Sequence, residues 1–113
     1  MEDLNITLKF SSGAELMIKD EIRFEAGVKT GDLELTRTLP AKTNDNPTNV
    51  KALLEYICAN LIKDKPEGFY QEEKLRPGIL VIINGSDWEV EDGPEYKLQN
   101  NDVIEFISTL HGG

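Results

Sequence analysis

The sequence predicts an α+β fold in which one main helix lies across a mixed sheet of four to five strands. Four observations carry that reading. Leu4, Ile6, Leu8 and Phe10 alternate with Asn5, Thr7 and Lys9, the period of a half-buried strand. Val50, Leu53, Leu54, Ile57 and Leu61 recur at the spacing of a single helical stripe. Ile79 to Ile83 is an apolar run of strand length, and Asp102 to Ile107 is a closing strand with Ile104 and Phe106 on one face and Glu105 and Ile107 on the other.

In chain order, the strand from Leu4 is followed by turn residues Ser11, Ser12 and Gly13. Glu15, Met17 and Lys19 then alternate with Ala14, Leu16 and Ile18, which predicts an N-terminal hairpin. From Asp20 to Asn46 the pattern weakens. Gly27, Gly31 and Pro40 interrupt it, and a long, partly irregular connection is expected, with Leu33, Leu35 and Leu39 supplying a short strand or covering an edge. Thr48 or Asn49 can cap the helix, Lys63 and Lys65 suit its C-terminal dipole, and Pro66 with Gly68 ends it. Cys58 reads as a small hydrophobe beside the buried stripe. Glu67 to Lys74 is an acidic, mobile-looking connector. After the apolar run, assigned to the core, Asn84 and Gly85 signal a turn, with Trp88, Glu89 and Val90 returning as a short strand. Glu91 to Asn101 is loop, from which Tyr96 and Leu98 can pack inward, and Glu89, Glu91, Asp92 and Glu95 form a solvated acidic face, the alternative being a surface for a basic partner groove. The economical form of this order is a β-grasp, with the last strand central and beside the first. Residues 1–107 are read as the domain, including the irregular connection over 20–47, and residues 108–113 as a flexible C-terminal tail.

The 113 residues can bury roughly two thirds of the surface of the unfolded chain, which is ample for one core. One cysteine rules out an intramolecular disulfide and suits a reducing compartment. Glu2, Asp3, Glu15 and Asp20 break any signal-peptide pattern, and no apolar run approaches the roughly 20 residues of a membrane helix. A cytoplasmic monomer is expected, with the nucleus as a second compartment. Twelve Lys and Arg against 21 Asp and Glu leave a net charge of −9, which repels nucleic-acid phosphate and anionic membrane. A phosphate-binding loop, a nucleophile elbow and metal-ligand spacing are all missing from the sequence, so an enzyme is not expected.

Ser108 to Gly113 ends on Gly112 and Gly113. Two glycines can thread a slot too narrow for other residues and leave the Gly113 carboxylate unhindered, the geometry wanted if the chain end is the reacting group. Chance alone places two glycines there in roughly 0.5% of chains, so the pair gains weight only from the domain that presents it.

The segments LRPGILVIINGSDWEV (Leu75 to Val90) and FISTLHGG (Phe106 to Gly113), with the hairpin and helix in the same order, resemble the eukaryotic ubiquitin-related modifier family. The resemblance covers most of the chain and departs over Asp20 to Asn46, which is longer than the family pattern. It implies a ubiquitin-like β-grasp and a protein cosubstrate rather than an enzyme. A ubiquitin-activating-like enzyme would use ATP to adenylate Gly113, and its rhodanese-like domain would supply sulfur to give a thiocarboxylate. A separate tRNA thiolation enzyme would use that sulfur for 2-thiolation of wobble uridine in cytosolic tRNAs. The same activated end would be joined to target protein lysines through an isopeptide bond. No cofactor is held by the chain itself.

Within that implication, Gly112, His111 and Leu110 would be read by the activating enzyme. His111, the only histidine, has no second histidine or nearby cysteine for a zinc site; it contacts the enzyme or keeps the tail soluble. Leu110 meets a partner or packs on the domain. Ile107, outward-facing beside the tail, forms a docking patch or is covered by the long connection. The competing class is a non-covalent β-grasp interaction module, which would not need a free glycine end. A β-grasp ferredoxin is excluded by one cysteine where a cluster needs four ligands.

Overall fold

The computed structural model describes residues 2–109. The first strand, β1 (Asp3–Ser11), places Ile6, Leu8 and Phe10 inward, all buried, as the alternation requires. The next segment corrects the expected hairpin. Ala14–Met17 is a turn of 3-10 helix, not a strand, and α1 (Asp20–Glu25) follows it. Alternation over six residues does not distinguish a strand from a tight helical turn. What fixes the turn is the buried Glu15, whose carboxylate accepts from the Gly13 N–H (2.9 Å) and, across the loop, from the Gly31 N–H (3.0 Å).

The antiparallel partner of β1 is β2 (Leu33–Pro40), over eight paired positions from Asp3↔Pro40 to Phe10↔Leu33. The segment expected to be irregular therefore carries a helix and a full edge strand. Two short ribbon strands, β3 (Lys42–Thr43) and β4 (Asn46–Pro47), lead to α2 (Val50–Asn60). Asn49 is its cap, accepting from the Ala52 N–H at 2.9 Å, and Val50, Leu53, Leu54 and Ile57 form the buried stripe. Lys63 and Lys65 fall beyond the last turn, and Lys63 instead pairs with Asp20 at 3.1 Å.

The connector after α2 is ordered: Pro66–Gly68 is 3-10, and β5 (Tyr70–Gln71) pairs with β6 (Lys74–Leu75). Phe69 within it is buried in the core. The apolar run forms β7 (Ile79–Ile83), from which Val81 and Ile83 point inward while Leu80 is 44% exposed, so the run is not wholly core. Asn84 and Gly85, both at positive φ (49° and 88°), turn it into β8 (Ser86–Asp87). Trp88–Glu91 is 3-10 rather than strand, capped by the Asp87 carboxylate on the Glu89 N–H at 2.9 Å. Trp88 packs half-buried on the core, as do Tyr96 and Cys58, and Leu98 is buried. Burial raises the Cys58 thiol pKa, and the thiol lies 3.6 Å from the Pro66 carbonyl.

The chain closes with β9 (Val103–Ser108), and the sheet order is β2-β1-β9-β7-β8. The central position expected for the last strand holds: β9 runs parallel to β1 and antiparallel to β7. Phe106 anchors the core, stacked on Phe10 (centroids 5.1 Å) and edge-on to Phe69 (5.7 Å). With the helix across one face, this is a β-grasp.

Candidate functional site: the exit of the last strand

The strand β9 is held along both edges. Its register against β1 runs from Thr7↔Val103 to Ser11↔Ile107, and against β7 from Ile83↔Ile104 to Ile79↔Ser108. Its entry is fixed by Asp102, buried, whose carboxylate accepts from the Tyr96 hydroxyl (2.9 Å), the Asn84 side-chain amide (2.9 Å) and the Gln99 N–H (2.8 Å). Burial first, and the bond to Asp102 second, push the Tyr96 phenol up to about 12. Asn84 also accepts from the Val103 N–H at 2.8 Å, which ties the turn after β7 to the start of β9.

At the other end the pairing runs further than the boundary expected for the tail. Ser108 belongs to the strand, and the Thr109 N–H and hydroxyl both donate to the Gly78 carbonyl, at 2.7 and 2.8 Å. Gly78 holds φ 92°, a conformation that favours glycine, on the turn opened by Arg76. Leu110, His111, Gly112 and Gly113 lie outside the described residues.

Ile107 stands where the strand phase placed it, half-buried on the face of the sheet away from α2. Its neighbour in register is the exposed Leu80, with Ile82 and Val103 half-buried on the same face. The sequence reading did not single out Leu80. The alternation Val81 and Ile83 in, Leu80 and Ile82 out was the available signal, masked because a continuous apolar run has no visible period. Lys9 lies in register between Glu34 and Glu105 on this face, giving it a charged flank.

A β-grasp domain whose last strand runs through the middle of the sheet and points its end away from the core belongs to the ubiquitin-like class. The Urm1 (Ubiquitin related modifier) family model matches residues 5–113. The chain is 43% identical to Ubiquitin-related modifier 1 of Gallus gallus over 97% of this chain and 96% of that one. It is 40% identical to the protein of that name from Chaetomium thermophilum, over 100% of this chain and 94% of the other. The solution structure of Urm1 from Trypanosoma brucei is similar at 35% identity, with TM-score 0.68, over 100% of this chain and 99% of that one. The chain belongs to the Urm1 (Ubiquitin related modifier) family. It is a ubiquitin-like modifier, acted on by enzymes rather than acting as one.

Proposed function

We propose that this chain is a sulfur carrier whose C-terminal glycine, Gly113, is adenylated and converted to a thiocarboxylate that supplies sulfur for 2-thiolation of wobble uridine in cytosolic tRNAs, and that the same end is conjugated to protein lysines. The observation that carries the reading is the placement of β9, paired on both edges and aimed outward, in a chain whose family match extends through Gly113.

A carboxylate resists substitution because its oxygen is a poor leaving group. Attack of a carboxylate oxygen on the α-phosphorus of ATP expels pyrophosphate and forms an acyl-adenylate. A sulfur nucleophile at the acyl carbon then expels AMP, and a lysine amine at an activated acyl carbon forms an isopeptide bond. The barrier is lowered in the activating enzyme's site, which uses the ATP and the sulfur; the chain contributes the reacting group and its delivery. Leu110, His111 and Gly112 are the residues that site reads, and Ile107 with Leu80, near the end of β9, is the docking patch. The partners are a ubiquitin-activating-like enzyme with a rhodanese-like domain, a tRNA thiolation enzyme that holds the RNA, and target lysines. The net charge of −9 suits a cytoplasmic monomer that leaves RNA binding to its partner.

The test is complementation. In cells lacking their own family member, this chain should restore wobble-uridine thiolation, measured by mass spectrometry of tRNA nucleosides. Deletion of Gly113 and extension past it should both abolish the rescue. An extended chain that rescues fully would favour the non-covalent interaction module.

A further inference from the structure

The pole of the domain from which β9 leaves carries a groove of about 530 Å3 that differs in charge from the rest of the molecule. One wall is Leu16 and Met17 of the 3-10 turn after β1; the floor includes the buried Ile62; the rim carries Lys63, Lys65 and Arg76 against a single carboxylate, Asp64. Backbone bonds make the walls one unit. The Lys63 N–H donates to the Met17 carbonyl (2.8 Å) and the Lys19 N–H to the Leu61 carbonyl (2.9 Å), with Ile18 and Ile62 in an antiparallel bridge. Arg76 is fixed from the other side, its N–H on the Phe69 carbonyl (2.8 Å) and its carbonyl receiving the Ile79 N–H (3.2 Å). The turn that bears Arg76 also bears Gly78, the residue that holds Thr109, so groove and strand exit share one rigid support.

Two features mark this groove as a contact surface. Leu16 is 48% exposed, an apolar side chain with water where a partner could cover it. Among the described residues the groove is lined by three cations and one carboxylate, although Asp and Glu outnumber Lys and Arg by 21 to 12 in the chain; Lys65 and Arg76, like most of its Lys and Arg, have no carboxylate within ion-pair distance. Lys63 is already engaged with Asp20. Two cations on the rim beside an apolar wall, within a protein that repels anions at long range, select a short acidic segment carrying an apolar residue rather than an extended polyanion.

We propose that this groove docks an acidic, apolar-bearing segment of the enzyme that activates the chain end, holding the domain while the tail enters the active site. The proposal rests on the function proposed above. It assigns Leu16, Lys65 and Arg76 to recognition, not to the chemistry.

The experiment is ATP–pyrophosphate exchange by a ubiquitin-activating-like enzyme of this family, titrated with the full chain. The double variant Lys65→Glu, Arg76→Glu should raise the KM for the chain roughly tenfold and leave kcat within about twofold, because two rim contacts change sign while the reacting end is untouched. Leu16→Ser should raise KM in the same sense. The matched variant Lys42→Glu, Lys97→Glu, which alters net charge equally at exposed sites outside the groove, should leave KM near that of the unaltered chain. Thermal melting of each variant separates loss of docking from loss of fold. An unaltered chain that is adenylated while the groove variants keep its KM would overturn the docking proposal and leave the function standing. Equal KM increases in the matched variant would assign the effect to net charge and also overturn it. Failure of the unaltered chain to be adenylated would remove the functional reading, and this proposal with it.

Discussion

The two ends of β9 are built differently. Where the strand enters the sheet, a buried carboxylate, Asp102, gathers three donors, one from the turn after β7 and two from the loop before β9, and Asn84 adds a further link between β7 and β9. Where it leaves, Thr109 hangs on one carbonyl, that of Gly78, and the neighbouring surface offers exposed Leu16 and Leu80, with Lys65 and Arg76 unpaired among the described residues. Order is concentrated at the base and accessibility at the tip. A chain end presented to another protein's active site needs both, because a tail tethered to a slipping strand would have no defined starting point.

The comparison can be broken hardest in the middle. Phe106→Ala removes the stack on Phe10 and the edge contact with Phe69, and should destabilise the domain by about 3–5 kcal/mol in chemical denaturation. Asp102→Ala leaves the Tyr96 hydroxyl, the Asn84 amide and the Gln99 N–H without their acceptor, and should cost about 2–3 kcal/mol. A loss as small as that of a surface substitution would show that the entry of β9 is not fixed by this network.

Tyr96→Phe sharpens the same point with a smaller effect, about 1 kcal/mol. The phenol's pKa is raised to about 12 by burial and then by Asp102, so the folded state holds the proton more tightly than the unfolded state, whose tyrosine titrates near 10. The stability it contributes is full below pH 10 and is lost as pH rises towards 12. Tyrosine absorbance titration should show a late component near pH 12 that the variant lacks. At the exit, Ile107→Asp should cost about 1 kcal/mol or less, being half-buried beside exposed Leu80, yet weaken activation of the chain end. Unfolding by that substitution would show that Ile107 belongs to a core.

The parts of the fold legible in the sequence are those where one local period decides burial. The alternation of β1, the stripe of α2 and the phase of β9 each follow from a single inward face, and all three elements stand where that face demands. The segment from Ser12 to Pro40 was not legible because its determinants are non-local. Glu15 is a buried acid whose role depends on Gly31, sixteen residues away, and Arg23 is buried through its Asp20 carboxylate and the Lys29 carbonyl. Leu33, Leu35 and Leu39 do show a strand, but Arg37 occupies the third inward position and breaks the alternation, which an edge strand tolerates. The site divides in the same way. Its reacting group is readable from two glycines and a family resemblance, whereas Leu80, Lys65 and Arg76 acquire meaning only once the sheet and the α2 exit bring them to the pole.

The most direct test of the central claim is the intact mass of the chain after incubation with an activating enzyme, ATP and a sulfur donor, beside a chain lacking Gly113. A mass gain equal to exchange of one oxygen for sulfur, seen only with the intact end, is the expected result. An active enzyme that leaves both chains unchanged, with no ATP-dependent adduct, would contradict it.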